Sequence, residues 1–102
     1  MPPSTWTALA DPHRRAILGL LLERPRAVGE LVDSLELTQP RTSKHLRVLR
    51  EAGLVNVTTE AQRRVYALEP GPLEELDAWL TPYRRLWGRS LDALERHLDS
   101  KE

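Results

Sequence analysis

The 102-residue sequence contains no cysteine and no phenylalanine, and its 15 basic and 15 acidic residues cancel. Without cysteine the chain forms no disulfide, no thiolate metal site and no thiol redox switch. No apolar run approaches the roughly 20 residues of a membrane span, and residues 1–4 lack the pattern of a signal peptide. We therefore expect one soluble, cytoplasmic domain covering residues 1–102, without a membrane partner.

The zero net charge hides an uneven distribution along the chain. Residues 39–68 hold six basic and two acidic residues. Residues 1–38 hold four basic and five acidic residues, and residues 69–102 hold five basic and eight acidic residues. The middle third therefore carries a charge of +4 between acidic flanks that total −4. This basic block favours an anionic partner, which the overall charge does not.

The sequence pattern predicts a mainly helical chain, because leucine outnumbers valine 19 to 6. Asp11 and Pro12 are typical of a helix start, and the dense apolar residues that follow predict a largely buried helix over residues 12–23, including Leu22. A short helix is expected over residues 4–10 and another over 27–34. Thr38 as N-cap and Gly53 as left-handed C-cap bound the next helix.

Two strands and a long helix follow in the sequence. Residues 54–59 and 64–68 are rich in β-branched residues and predict a hairpin, although its turn at residues 60–63 has no Gly or Asn to supply a positive φ. Residues 72–100 have apolar residues at spacings of three and four, which predicts an amphipathic helix. Pro82 predicts a kink or break in it, with Thr81 as a second N-cap.

This order of elements, α-α-α-α-β-β-α, is that of a winged helix-turn-helix, in which the helix over residues 38–53 would enter the DNA major groove. Helical geometry turns Thr42, Leu46 and Leu49 inward and leaves a basic face outward. The residues that could read bases are Gln39, Arg41, Ser43 and Lys44, and those suited to phosphates are His45 and Arg47, with Arg63 and Arg64 in the hairpin. A solvated surface face is the alternative for an isolated helix of this kind.

A longer motif gives this helix a family likeness. Residues 39–55 read QPxxSKHLxVLxxAGLV and, with residues 8–18 and 28–31, resemble the ArsR-type (ArsR/SmtB-like) transcriptional regulators. Members of that family are homodimeric winged-helix repressors that bind imperfect inverted repeats and release DNA when an effector binds. The resemblance implies that Gln39, Pro40, Ser43 and Lys44 contact DNA and that Arg63 and Arg64 lie on the wing. Arg41, Thr42, Ala61 and Gln62 depart from the usual family pattern.

The sequence predicts neither a metal site nor catalysis. Residues 27–33, where many relatives bind metal through cysteine, contain no thiol, and the last helix offers Asp77, Asp92, Glu95, His97 and Asp99 without HxxH or HxxE spacing. His13 and His97 are expected to be exposed. Ser43 and His45 point about 200° apart on one helix, so they cannot act as nucleophile and base. We expect no cofactor and no enzyme activity.

The last helix carries an apolar face too long for one small core to cover, which predicts a dimer interface. The residues assigned to it are Trp6, Leu9, Leu76, Leu80, Tyr83, Trp87, Leu91, Leu94 and Leu98. Residues 11–69 would then form the DNA-binding core, with residues 4–10 and 72–100 as dimerisation helices. Trp79, Tyr83 and Trp87 could also line a pocket for an apolar effector or dock a second protein. A winged-helix protein-interaction module that lacks the DNA contacts is the competing hypothesis, and the basic block favours DNA binding.

Overall fold

A computed structural model describes residues 3–99, with the backbone alone for residues 90–92 and 99. Within residues 3–99, five helices and three strands follow one another as α1 (Pro3–Leu9), α2 (Pro12–Glu23), β1 (Arg26–Ala27), α3 (Val28–Leu35), α4 (Gln39–Glu51), β2 (Val55–Glu60), β3 (Arg63–Leu68) and α5 (Gly71–Asp99). The predicted winged helix-turn-helix order is confirmed, with one added strand. In this described range no helix is long and apolar enough to cross a membrane.

The predicted helix boundaries in the first half of the chain are confirmed by the caps. The Asp11 carboxylate accepts hydrogen bonds from the backbone N–H groups of His13 and Arg14 at 2.7 and 3.3 Å. The Thr38 hydroxyl accepts one from the N–H of Arg41 at 3.3 Å. Gly53 has φ +75°, the left-handed conformation that glycine adopts without steric cost. These side chains orient α2 and α4 because they satisfy otherwise unpaired helix ends.

The strands form one antiparallel sheet in the order β1-β3-β2. β2 and β3 pair from Val55 with Leu68 out to Glu60 with Arg63, so only two residues remain in the turn. Ala61 takes φ 54° there, although no Gly or Asn is present. The sequence did not predict β1, because two residues become a strand only through their long-range pairing with β3.

The core lies where α2, α3 and α4 pack on the sheet. Its buried hydrophobic residues are Ala8, Ile17, Leu18, Leu21, Ala27, Leu31, Leu46, Leu49, Leu54, Val55 and Tyr66. The prediction that Leu22 is buried is wrong, since 77% of it is exposed. Leu22 follows Leu21 by about 100° of helical rotation and so points away from the core.

Helix α5 continues through Pro82, so the predicted break is wrong. Thr81 is not an N-cap: its hydroxyl donates to the Asp77 carbonyl at 3.3 Å, within the helix. Arg84 donates to the same carbonyl at 2.8 Å and pairs with the Asp77 carboxylate at 2.6 Å. These side-chain bonds reinforce the turn that precedes the proline, and a kink at Pro82 stays a prediction.

Candidate nucleic-acid interface

Helix α4 has one buried face and one exposed face, as its sequence predicts. Thr42, Leu46 and Leu49 are 0% exposed and anchor the helix on the core. The Thr42 hydroxyl donates to the Thr38 carbonyl at 3.0 Å, which satisfies its buried oxygen. The exposed residues of α4 are Gln39, Pro40, Arg41, Ser43, Lys44, Arg47, Arg50 and Glu51. Six of the predicted DNA-contacting residues therefore share an accessible surface.

The groove between α4 and β3 concentrates positive charge. It has a volume of about 280 Å³, and its lining residues are Val28, Gln39, Ser43, Arg47, Arg50, Arg64 and Tyr66. Three guanidinium groups on two elements give this groove the chemistry of a phosphate-binding surface. We call it the arginine groove.

Sequence reasoning missed Arg50 as part of this surface. Arg50 lies one helical turn after Arg47, and Gln39, Ser43, Arg47 and Arg50 follow one another at spacings of four, four and three. That spacing was a usable signal, because such residues line one side of a helix. A second hollow of about 210 Å³ lies beside the groove, lined by Pro40, Ser43, Lys44 and Arg47.

The two wing arginines differ in their environments. Arg64 lines the arginine groove, whereas Arg63 donates to the Glu30 carboxylate at 3.2 Å. Glu30 also binds Arg24 at 2.6 Å and accepts the N–H of Ala27 at 3.2 Å. The Arg24 hydrogen bond, then the Ala27 N–H, lower the pKa of Glu30 against partial desolvation. Glu30 thus ties the wing to the start of α3.

The structure holds His45 apart from the exposed basic face. Its side chain is half-buried against α2, with Nδ1 at 3.3 Å from Nη1 of Arg14. Burial lowers the pKa of His45, and the charges of Arg14, His13 and Arg41 act in the same direction, against that of Asp11. A phosphate contact from His45 stays a prediction, and this geometry does not favour it.

The same corner gathers side chains that sequence reasoning treated separately. His13, expected to be exposed, is half-buried, and its ring centroid lies 5.7 Å from that of His45. Asp11 completes a group of potential metal ligands. Because Asp11 and His13 lie at the start of α2 and His45 lies in α4, no local spacing in the sequence signals the approach of His45 to the other two.

The surface assigned to dimerisation has a half-buried and an exposed part. Leu9, Leu76 and Leu80 are half-buried within the chain, whereas Tyr83, Trp87, Leu94 and Leu98 are 46%, 53%, 54% and 57% exposed. The Leu91 side chain lies outside the described residues. Sequence reasoning left out Leu86, which is 54% exposed.

An aromatic cluster joins the two predicted dimerisation helices. The rings of Trp6 and Trp79 meet edge to face with centroids 5.1 Å apart, and Trp79 lies 4.8 Å from Tyr83. Both tryptophans are nearly half-exposed. The Trp6–Trp79 contact links α1 to α5, and the exposed parts of both rings leave apolar surface accessible.

Sequence comparison relates this chain to known regulators. The family described as "Bacterial regulatory protein, arsR family" matches residues 11–57. The chain is 42% identical to the HTH-type transcriptional regulator Rv2034 of Mycobacterium tuberculosis over 98% of this chain and 91% of that protein. It is 48% identical to the transcriptional activator HlyU of Vibrio cholerae over 60% of this chain and 56% of that one. It is 44% identical to the HTH-type transcriptional repressor SmtB of M. tuberculosis over 60% of this chain and 45% of that protein.

Solved structures show the same relationship. An ArsR family transcriptional regulator, RHA00566, is 34% identical, with a TM-score of 0.73 over 83% of this chain and 88% of that one. The homodimeric winged helix-turn-helix DNA-binding domain of Mb0332 from Mycobacterium bovis is 27% identical. Its TM-score is 0.67 over 80% of this chain and 76% of that one. The chain belongs to the ArsR family of winged helix-turn-helix transcriptional regulators and not to an enzyme family.

Proposed function

We propose that this regulator binds an inverted-repeat operator in double-stranded DNA as a homodimer and represses transcription from the promoter it covers. The observation that carries the proposal is the two-sided character of α4. Its inner face is fully buried, and its outer face presents Gln39, Arg41, Ser43 and Lys44 to solvent. A helix anchored in this way can enter the major groove without disturbing the core.

The exposed face and the arginine groove would divide the work of recognition. Arg41 and Lys44 can donate to guanine O6 and N7, and Gln39 can pair with adenine N6 and N7. Arg47, Arg50 and Arg64 would bind the phosphates on the wing side of α4, which sets the register of the helix in the groove. Arg63 would contact a phosphate only after it leaves Glu30.

The dimer proposal rests on the exposed apolar residues of α5. Tyr83, Leu86, Trp87, Leu94 and Leu98 are each about half-exposed within one chain, although large apolar surfaces are usually covered. The similar Mb0332 domain is described as homodimeric. Two copies joined through α5 would present two recognition helices to successive turns of DNA.

Repression is the part of the proposal that depends on where the operator lies. Similar proteins include one named as a repressor and one named as an activator. A dimer bound across a promoter excludes the polymerase, so we expect less transcript when this protein occupies its operator. Such a regulator would act in the cytoplasm, where the bacterial chromosome lies.

Selection from random double-stranded DNA tests the recognition proposal. We expect an enriched inverted repeat with half-sites about 34–36 Å apart, and no enriched motif would favour a protein-interaction module instead. Arg41→Ala and Lys44→Ala should relax base preference at particular positions. Arg64→Ala should weaken binding to all sequences and lower the salt slope by about 0.9, and Arg63→Ala should have the same effect if Arg63 leaves Glu30.

A matched arginine outside the proposed surface provides the control. Arg85 is exposed on α5, and Arg85→Ala removes the same charge without touching the groove. We expect an unchanged salt slope for this variant. Equal losses in Arg64→Ala and Arg85→Ala would show that net charge, and not the arginine groove, sets the affinity.

A further inference from the structure

Three side chains that can bind metals meet where the start of α2 lies against α4. One donor atom from each of Asp11, His13 and His45 lies within 4.8 Å of the other two. The Nδ1 atom of His13 is 3.8 Å from Oδ1 of Asp11, and the two imidazole rings are 5.7 Å apart between centroids. All three residues are half-buried, so the group is both held in place and open to solvent.

We propose that Asp11, His13 and His45 form a binding site for one divalent transition-metal ion such as Zn²⁺ or Co²⁺. Two imidazole nitrogens and a carboxylate oxygen are a donor set that these ions accept, and three protein ligands leave a fourth position for water. The site uses no cysteine and no residue of α5. It therefore differs both from the cysteine site that many relatives have at the position of residues 27–33 and from any site on the last helix.

The distances are compatible with coordination after small side-chain rotations. Metal–ligand bonds of about 2.0–2.2 Å place the donor atoms of a tetrahedral site roughly 3.3–3.6 Å apart. The present spread of 4.8 Å must therefore shrink by a little over 1 Å. His13 has the freedom to make this movement, because its side chain is 41% exposed in the first turn of α2.

Asp11 can bind an ion and still cap α2. Both cap hydrogen bonds, from the N–H groups of His13 and Arg14, end on Oδ1. The second oxygen, Oδ2, is then available to the ion. The cap also fixes the carboxylate, which reduces the conformational entropy that coordination would otherwise remove.

Two arginines oppose a cation here, Arg41 through its charge and Arg14 through both its charge and a direct contact. The Nη1 atom of Arg14 lies 3.3 Å from Nδ1 of His45, so a bound ion must displace or reorient this contact. Arg14 keeps two other partners when it does so, because it also donates to the carbonyls of Ala8 at 2.9 Å and Thr7 at 2.8 Å. These positive charges lower the affinity of the site for a cation.

Titration of the metal-free chain with Co²⁺ and Zn²⁺, in the absence of DNA, tests the site. Co²⁺ gives visible absorption bands when it leaves water for protein ligands, and calorimetry gives the Zn²⁺ stoichiometry. We expect one ion per chain. His13→Gln and His45→Gln should each weaken binding by at least the roughly 10–100-fold that loss of an outer-shell partner costs.

The chain provides matched controls for these variants. It has only three histidines, so His97→Gln removes the remaining imidazole and should leave the affinity unchanged. Asp11→Asn removes the carboxylate charge but retains a good N-cap, so it should weaken binding without unfolding α2. His13 is on the surface of the first turn, and circular dichroism of His13→Gln should match that of the wild type.

Nuclear magnetic resonance supplies a second readout that locates the ion. Co²⁺ should broaden the imidazole signals of His13 and His45 and spare those of His97. The proposal is overturned if the wild-type chain binds neither ion, or if binding survives His13→Gln and is lost in His97→Gln. Because no DNA is present, these outcomes are independent of the proposed operator binding.

Discussion

The winged-helix core and helix α5 differ in how their apolar residues are covered. In the core, Leu46, Leu49 and Leu54 are completely buried by the chain itself. Along α5, Leu73 packs against that core, but Trp87 and Leu98 are more than half-exposed. The core is thus complete within one chain, whereas the second half of α5 has the apolar surface of an element that packs on another molecule.

This difference separates the two tasks that we propose for the molecule. The core orients α4 and the wing, and α5 joins two such cores at a fixed distance. Changes in the core should then act mainly on stability, and changes on α5 should act mainly on assembly.

Leu94→Arg should produce monomers that bind the operator poorly. A charge placed in the proposed seam must be desolvated when two copies associate, which opposes assembly. Loss of simultaneous binding to two half-sites lowers affinity by about 10²–10⁴-fold. Light scattering measures the assembly and electrophoretic mobility shift measures DNA binding.

Leu22→Arg is the control for this substitution. Leu22 is 77% exposed but lies on α2, outside the proposed seam. We expect it to leave the dimer and the operator affinity intact. A dimeric Leu94→Arg protein, or a monomeric Leu22→Arg protein, would contradict the assignment of the seam to α5.

Leu49→Ala should destabilise the core without changing the site of assembly. Leu49 is 0% exposed on the inner face of α4, so truncation leaves a cavity and should lower the free energy of unfolding by about 2–5 kcal/mol. Leu98→Ala, measured in the monomeric Leu94→Arg background, should change the free energy of unfolding by only about 0.5 kcal/mol. Urea denaturation measures the free energy of unfolding of both variants. Equal losses for Leu49→Ala and Leu98→Ala would contradict the proposed difference between the core and α5.

Glu30→Gln should remove a pH-dependent stabilisation from the edge of the core. Because the pKa of Glu30 is lowered in the folded chain, the ionised carboxylate stabilises the fold. This stabilisation is complete at pH values above the ordinary pKa of 4.5. That contribution is lost as the pH falls through the lower folded pKa. The stability difference between the wild type and Glu30→Gln should therefore be present at neutral pH and vanish in stronger acid.

Thermal unfolding at several pH values measures this difference. Asp33→Asn provides the control, because Asp33 is an exposed acidic residue of the same helix. We expect no comparable change for Asp33→Asn. A Glu30→Gln effect that grows as the pH falls would contradict the role assigned to the Arg24 and Ala27 hydrogen bonds.

Ala61→Gly should give a small effect, a stabilisation of about 0.5–1 kcal/mol. Ala61 has φ 54°, a conformation that costs a residue with a Cβ atom roughly 1–2 kcal/mol. Glycine avoids this cost, but its greater entropy in the unfolded state lowers the stability by about 0.4–1 kcal/mol. Ala16→Gly, at an exposed position within α2, should instead destabilise by about 1 kcal/mol. Thermal unfolding of the two variants should show shifts of opposite sign.

Features decided by local chemistry were predictable from the sequence. The caps at Asp11 and Thr38, the positive φ of Gly53 and the inward face of α4 all depend on residues within one or two helical turns. The exposed base-reading candidates followed from the same helical rotation. These features are local because each backbone group at a helix end needs a nearby partner.

Features that depend on distant residues were not predictable. β1 exists because Arg26 and Ala27 pair with β3, and Arg63 is engaged because Glu30 approaches it across the fold. The meeting of Asp11 and His13 with His45 likewise requires α2 to pack against α4. The helix also continues through Pro82, since the remaining hydrogen bonds of a long helix outweigh the one that proline removes.

The most direct test of the account compares the selected operator with altered versions of it. Fluorescence anisotropy would measure affinity for the full inverted repeat, for one half-site, and for a repeat in which five added base pairs rotate one half-site by half a turn. We predict two chains per full repeat and at least about 100-fold weaker binding to both altered DNAs. Equal affinity for all three, or one chain per full repeat, would contradict a dimer that reads two half-sites through α4.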